Sequence, residues 1–172
     1  MAAQGSAMKP NDGTQRQYVV LELADELYGV DIEHVNTVLM HQEICPVPGT
    51  PGYMKGIMNL RGKVLPVIDL RERLLLPPRT TPDSRIVILN VAGAFAGMIV
   101  DGVSEVVALP PGATELTENV LSSPAALCIS GVARLSGNGS ARAKHGQFLL
   151  LLDVMELLDS IPSDTCPQAR AA

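Results

Sequence analysis

Tryptophan is absent from this 172-residue chain, and Phe and Tyr are so few that aromatics reach only 3%. The core must therefore be built from Val, Leu, Ile and Met, and the β-branched share of that set favours strands. Charge is scarce too. Only 18% of residues are charged against 47% apolar, a balance that excludes disorder through the body of the chain. The net charge of -5 comes without a run of Lys or Arg, which argues against nucleic acid as a partner. Cys45, Cys128 and Cys166 form no CxxC pair, so neither a closed disulfide set nor a metal knuckle is expected, and a reducing cytoplasm fits best. His34, His41 and His145 stand at no metal-ligand spacing to one another or to a cysteine, so no metal is expected. Long hydrophobic runs are missing as well. Residues Ile86 to Val100 are interrupted by Asn90, Gly93 and Gly97 and fall short of the about 20 residues a membrane helix needs. Met1 to Gln17 lacks the apolar centre of a secretory signal, and the chain reads as soluble, with no direct membrane insertion.

Catalytic signatures are lacking in the same way. There is no G-x-S-x-G elbow, H-E-x-x-H helix, P-loop or calcium loop, and Gly137-Asn138-Gly139 is too poor in glycine for a dinucleotide site. Asp69 and Asp101 both follow apolar strands and admit a paired-carboxylate reading, but strand-end aspartates more often cap or turn. The chain is read as no enzyme and as needing no cofactor, with a small-ligand or enzymatic β-barrel as the alternative.

What is present is a series of short apolar segments broken by turns. The stretch from Tyr53 to Arg71 organises the rest: Ile57 to Leu60 and Val64 to Ile68 read as strands reversing at Arg61-Gly62, where glycine supplies a positive φ. Pro66 cannot donate to a ladder and belongs on a sheet edge or at a bulge. Arg61 at the tip has two readings: a solvated turn residue held by a carboxylate such as Asp69, or a docking residue whose guanidinium offers five donors to a partner.

Before this hairpin, Tyr18 to Leu23 and Leu27 to Ile32 form another around Ala24-Asp25-Glu26, followed by a helical turn over Asp31 to Val35 and a strand from Thr37 to Met40. Pro46 to Gly52 is a shaped loop passing into a helical turn over Gly52 to Lys55. After the central hairpin come a brief helix from Arg71 to Leu76 and strands over Ile86 to Val91, Phe95 to Val100 and Val103 to Leu109. Pro110 to Ala125 wraps the outside, Leu127 to Leu135 returns as strand, Ser136 to Gly146 is a loose loop, and Gln147 to Leu152 is a buried strand. Asp153 with Glu156 resembles a capping box opening a short C-terminal helix whose face is Val154, Leu157, Leu158 and Ile161. About ten short strands with little helix is the pattern of sandwiches and small barrels. Residues 1–16 and 162–172 are expected to be flexible tails around a domain at 17–161. Ile32, Val35, Val38, Leu39, Ile57 and Met58 exceed what two short strands need for one buried face, so an apolar groove suited to an amphipathic partner helix competes with plain core packing.

Three blocks then stand in a familiar order: Tyr28-Gly-Val-Asp-Ile32, Pro51-Gly-Tyr-Met-Lys-Gly-Ile-Met-Asn-Leu-Arg-Gly-Lys-Val-Leu-Pro-Val-Ile-Asp-Leu70, and Val100-Asp-Gly-Val-Ser-Glu-Val106. They closely resemble the CheW family of chemotaxis coupling proteins, over roughly Gln17 to Ser160. The resemblance implies an all-β fold of two five-stranded SH3-like barrels sharing a core, completed by the short C-terminal helix. It implies a non-catalytic adaptor that joins the cytoplasmic helical tip of methyl-accepting chemoreceptors to the regulatory domain of the histidine kinase CheA, at the inner face of the membrane within receptor arrays. Carried over by position, Arg61 matches the arginine associated with receptor coupling, and Val35 and Gly56 match positions associated with partner contacts. Arg61 with Ile32, Val35, Val38 and Ile86 is expected to bind receptor, and Gly56, Thr37, Leu39 and Met58 to bind kinase. Thr37 stands where many members carry Glu, and the Ser136 to Gly146 loop is longer than usual. These departures leave open a relative that serves a pilus, biofilm or other sensory pathway.

Overall fold

The computed structural model describes residues 15–79, 81–115, 127–135 and 147–159. In chain order its elements are β1 (Arg16–Leu23), β2 (Glu26–Asp31), a 3-10 turn (Ile32–His34), β3 (Val35–Met40), β4 (Met54–Leu60), β5 (Lys63–Asp69) and α1 (Leu70–Arg73). There follow β6 (Arg85–Val91), β7 (Ala94–Val100), β8 (Gly102–Leu109), β9 (Thr114–Glu115), β10 (Ile129–Arg134), β11 (Phe148–Leu152) and α2 (Val154–Asp159). The strands fall into two sheets, ordered β8-β1-β2-β11-β10-β9 and β3-β6-β7-β5-β4. Two five-stranded units sharing a core is thus the architecture, with the two-residue β9 added to the first.

Period-2 alternation explains why apolar strands are needed on both faces. In β1, Tyr18 and Val20 point into the interior of the first barrel, while Val19, Leu21 and Leu23 point the other way. In β6, Ile86 and Ile88 fill the second barrel, while Val87, Leu89 and Val91 meet the β1 residues in a third cluster between the sheets. Strands covered on both sides read as continuous apolar runs, as residues 86–89 of β6 do. The middle cluster is the shared core, and it binds the two barrels into one body.

Three hairpins turn on two residues with left-handed φ: Ala24 and Asp25 (49° and 68°), Arg61 and Gly62 (51° and 83°), and Ala92 and Gly93 (51° and 86°). This is the type I′ pattern, whose twist matches that of the flanking strands. Glu26 already belongs to β2, so the first turn is one residue shorter than expected. Pro66 lies in β5, an interior strand and not an edge, next to the β4–β5 register irregularity between Met54 and Gly56; it is tolerated because the parallel ladder to β7 begins only at Val67. Over Gly52 to Lys55 the expected helical turn is instead a tight turn, with the Met54 N–H donating to the Pro51 carbonyl at 3.0 Å, and β4 starts at Met54.

Both helices carry an aspartate cap, and α1 covers Leu70–Arg73 where the sequence predicts Arg71 to Leu76. Asp69 Oδ1 accepts from the Arg71 amide at 2.9 Å, and Asp153 Oδ1 accepts from the amides of Met155 and Glu156. At the end of α1 the Leu76 N–H reaches the Arg71 carbonyl and the Leu75 N–H the Glu72 carbonyl, a Schellman ending that puts Leu75 at φ 61°. Glycine usually fills that place, and Leu75 is 70% exposed. Leu75→Gly is therefore expected to stabilise the fold by about 1 kcal/mol in urea unfolding, and a loss of stability would refute the strain. β1 begins at Arg16, inside the expected N-terminal tail. Residues 162–172, Ile161, the 136–146 loop and most of the 110–125 segment lie outside the described residues. No helix among the described residues is long and apolar enough to cross a membrane.

Candidate partner-binding surface

β3 is an edge strand, paired only with β6, and it alternates half-buried and exposed. Val38 stands opposite Val87 and Met40 opposite Arg85, so both project from the sheet face that carries the shared core. They lie beyond its margin, and Met40 is 69% exposed. Ile32, also exposed, sits in the 3-10 turn packed between β1 and β6, where the two sheets meet. On the other sheet, edge strand β8 places Val106 opposite Val19, again on the shared-core face, and leaves it 49% exposed. Exposed apolar side chains on both barrels therefore fringe the core that joins them. Sequence reasoning found Ile32 and Val38 but missed Met40 and Val106. Met40 alternates with Val38 and was findable; Val106 required the pairing of β8 with β1.

The other expected contacts divide sharply. Val35 packs half-buried against the shared core, Leu39 packs against the interior of the second barrel, and Thr37 between them is half-buried. Ile86 is 0% and Met58 3% exposed, both inside the second barrel. Neither can touch a partner directly, because β6 is covered on both faces and Met58 alternates inward from β4. Gly56 is also buried, and its role is backbone packing: φ is 143° and a Cβ would stand 1.9 Å from the Cys45 carbonyl oxygen.

Arg61 is exposed at the β4–β5 tip, and among the described residues no ion pair involves it. Asp69, its supposed partner, is buried at the opposite end of β5 as the cap of α1, so the picture of an arginine tied down by that carboxylate is wrong. The neighbouring hairpin is informative. Gly62 N–H donates to Asn59 Oδ1 at 2.9 Å, and Gly93 N–H donates to Asn90 Oδ1 at 3.1 Å. The two turns share one design, yet the second has Ala92 where the first has Arg61. The turn does not require arginine. Because β5 and β7 run parallel, both tips project at the same end of the sheet, where Lys63 Nζ also lies 4.7 Å from the centre of the Phe95 ring.

The two strand-end aspartates do not form a catalytic pair. Burial, outweighing the amides of Arg71 and Glu72, pushes the Asp69 carboxyl above its ordinary value. Burial also works to raise Asp101, but the Arg71 guanidinium and the Ala24 amide together hold it below its ordinary 3.8. The signs differ accordingly. Asp101 contributes stability that is present above pH 3.8 and lost as pH falls through its depressed value, whereas the stability Asp69 contributes is lost as pH rises through its raised one. The stability gap between wild type and Asp101→Asn should thus be flat above about pH 5 and shrink in stronger acid. Urea titrations at several pH values test this, and a gap that widens in acid would contradict it.

The model of a CheW-like domain matches residues 17–162. The chain is 33% identical over 158 residues to a chemotaxis protein CheW of Treponema pallidum (strain Nichols), covering 89% of this chain and 87% of that one. It is 30% identical over 146 residues to a chemotaxis protein CheW of Klebsiella aerogenes, covering 84% and 82%. Among solved structures, the scaffolding protein TtCheW from Thermoanaerobacter tengcongensis superposes with a TM-score of 0.71 at 35% identity, over 81% of this chain and 90% of that chain.

Proposed function

The chain belongs to the CheW family of chemotaxis scaffold proteins, and from that premise we propose that it couples the cytoplasmic helical tip of chemoreceptors to the regulatory domain of the kinase CheA. The observation that carries this reading is Arg61: an exposed cation without an ion pair among the described residues, held on a rigid turn whose twin is built with alanine. Arginine is not a residue that the left-handed region favours, and its presence on a tip that folds equally with alanine motivates a role outside the fold. The fringe of Ile32, Val38, Met40 and Val106 supplies apolar surface of the kind an amphipathic helix covers.

In this reading the receptor helix lies against that fringe, with Val35 supporting it from below. The kinase domain takes the β3–β4 side of the second barrel, where Thr37 is half-exposed and Leu39, Met58 and Gly56 hold the strands in place. The adaptor acts in the cytoplasm, at the membrane face of a receptor array, and supplies position without chemistry. Each contact is individually modest, and array multivalency multiplies it. The test is reconstitution with a receptor cytoplasmic fragment and the kinase: the wild-type chain should bind both and change kinase activity. A folded protein that binds neither would end the proposal.

A further inference from the structure

The chain crosses from the second barrel to the first at Asp101, between β7 and β8. Its N–H donates to the Glu22 carbonyl of β1 at 3.1 Å, and its Oδ2 accepts from the Ala24 amide at 3.0 Å. The Arg71 guanidinium grips the same carboxylate in a fork, Nε to Oδ1 at 2.8 Å and Nη2 to Oδ2, while Nη1 donates to the Pro77 carbonyl at 3.0 Å. One carboxylate thus ties the β1–β2 turn of the first barrel to α1 of the second. That helix is itself fixed to β4 by the Lys55–Glu72 ion pair.

The turn it holds is demanding. Ala24 and Asp25 are both left-handed without being Gly or Asn, and a two-residue hairpin leaves the first amide of its turn without a ladder partner. Asp101 supplies that partner. Beside this fork the barrels share the apolar core, whose attraction has no preferred direction. Packed apolar layers can slide past one another by small shears, whereas a bidentate arginine fork has one geometry.

We propose that Arg71 and Asp101 are positioning residues that set the angle between the two barrels, and with it the spacing of the apolar fringe a partner helix must span. Neither residue touches the partner. The effect on affinity rests on the receptor-binding reading above, but the effect on barrel orientation does not.

The experiment uses spin labels on exposed residues of each barrel, Gln17→Cys in β1 and Ala94→Cys in β7, in a Cys45→Ser, Cys166→Ser background. Distances are measured in that protein and in its Asp101→Asn and Arg71→Met variants, with binding to a receptor helical-tip fragment measured alongside. Leu149→Ala, in the interior of the first barrel, is the control that lowers stability without touching the clamp. Clamp variants should broaden the label distance distribution and weaken the fragment at least fivefold well below their melting temperatures; Leu149→Ala should lower the melting temperature and leave both unchanged. An unchanged distribution in folded clamp variants overturns the proposal. Should Arg71→Met fail to fold, Arg71→Lys keeps the charge, loses the fork and is judged by the same criteria. If the wild-type chain does not bind the fragment, the receptor reading fails, while the distance measurement still decides the clamp.

Discussion

Gly56→Ala is expected to cost about 3 kcal/mol or more in urea unfolding, the largest loss foreseen for a single methyl group in this chain. The added carbon would lie 1.9 Å from the Cys45 carbonyl oxygen and 2.9 Å from the Pro46 Cα, which are backbone atoms and cannot rotate aside. The segment would have to leave β4, breaking the pair of 2.8 Å hydrogen bonds that Cys45 and Ile57 exchange. Those two bonds contribute about 1 kcal/mol each, and a φ of 143° adds a conformational penalty of about 1–3 kcal/mol for any residue with a Cβ. Loss of partner binding in such a variant would then reflect the displaced Cys45–Pro46 segment and not a contact made by residue 56. A variant within about 1 kcal/mol of wild type would show that the close approach relaxes freely.

Arg61 should behave in the opposite way. Arg61→Ala converts the β4–β5 turn into a copy of its neighbour at Ala92-Gly93, so folding should be preserved. Arg61→Asn should raise stability by up to about 1 kcal/mol, because asparagine tolerates the left-handed region and Asn-Gly is a favoured type I′ pair. Under the proposed function both should weaken receptor binding about tenfold, as expected for a lost charge-assisted hydrogen bond, and Arg61→Glu should weaken it further by repulsion. Thermal melts paired with titration of a receptor cytoplasmic fragment separate the two effects. Unaltered affinity in all three folded variants would return Arg61 to the role of a solvated turn residue.

Much of this was legible from residue order. Hairpins announce themselves by period-2 apolarity broken at Arg61-Gly62 and Ala92-Gly93, and caps by aspartates placed before apolar helical faces, as at Asp153. The failures share a cause. Alternation says which residues lie on one face of a strand, but not whether that face meets solvent, the barrel interior or the other barrel. Ile86 and Val38 look alike in sequence, and the sheet order alone places one at the centre and the other on the edge. For Pro66 the sequence leaves an edge and a bulge open, because it does not show where the second ladder of its strand starts.

By itself, then, the order of residues determined that this chain is a set of short two-sided strands closed by tight turns, since hydrophobic period and turn chemistry act over a few neighbours. It also marked Arg61 as a cation on a rigid tip. Tertiary structure alone decided which apolar side chains remain outside, that Asp69 is committed to a helix cap, and that Arg71 and Asp101, 30 residues apart, share one fork across the barrel junction. Burial and ion pairing depend on distances through space, and no local pattern in a sequence carries those.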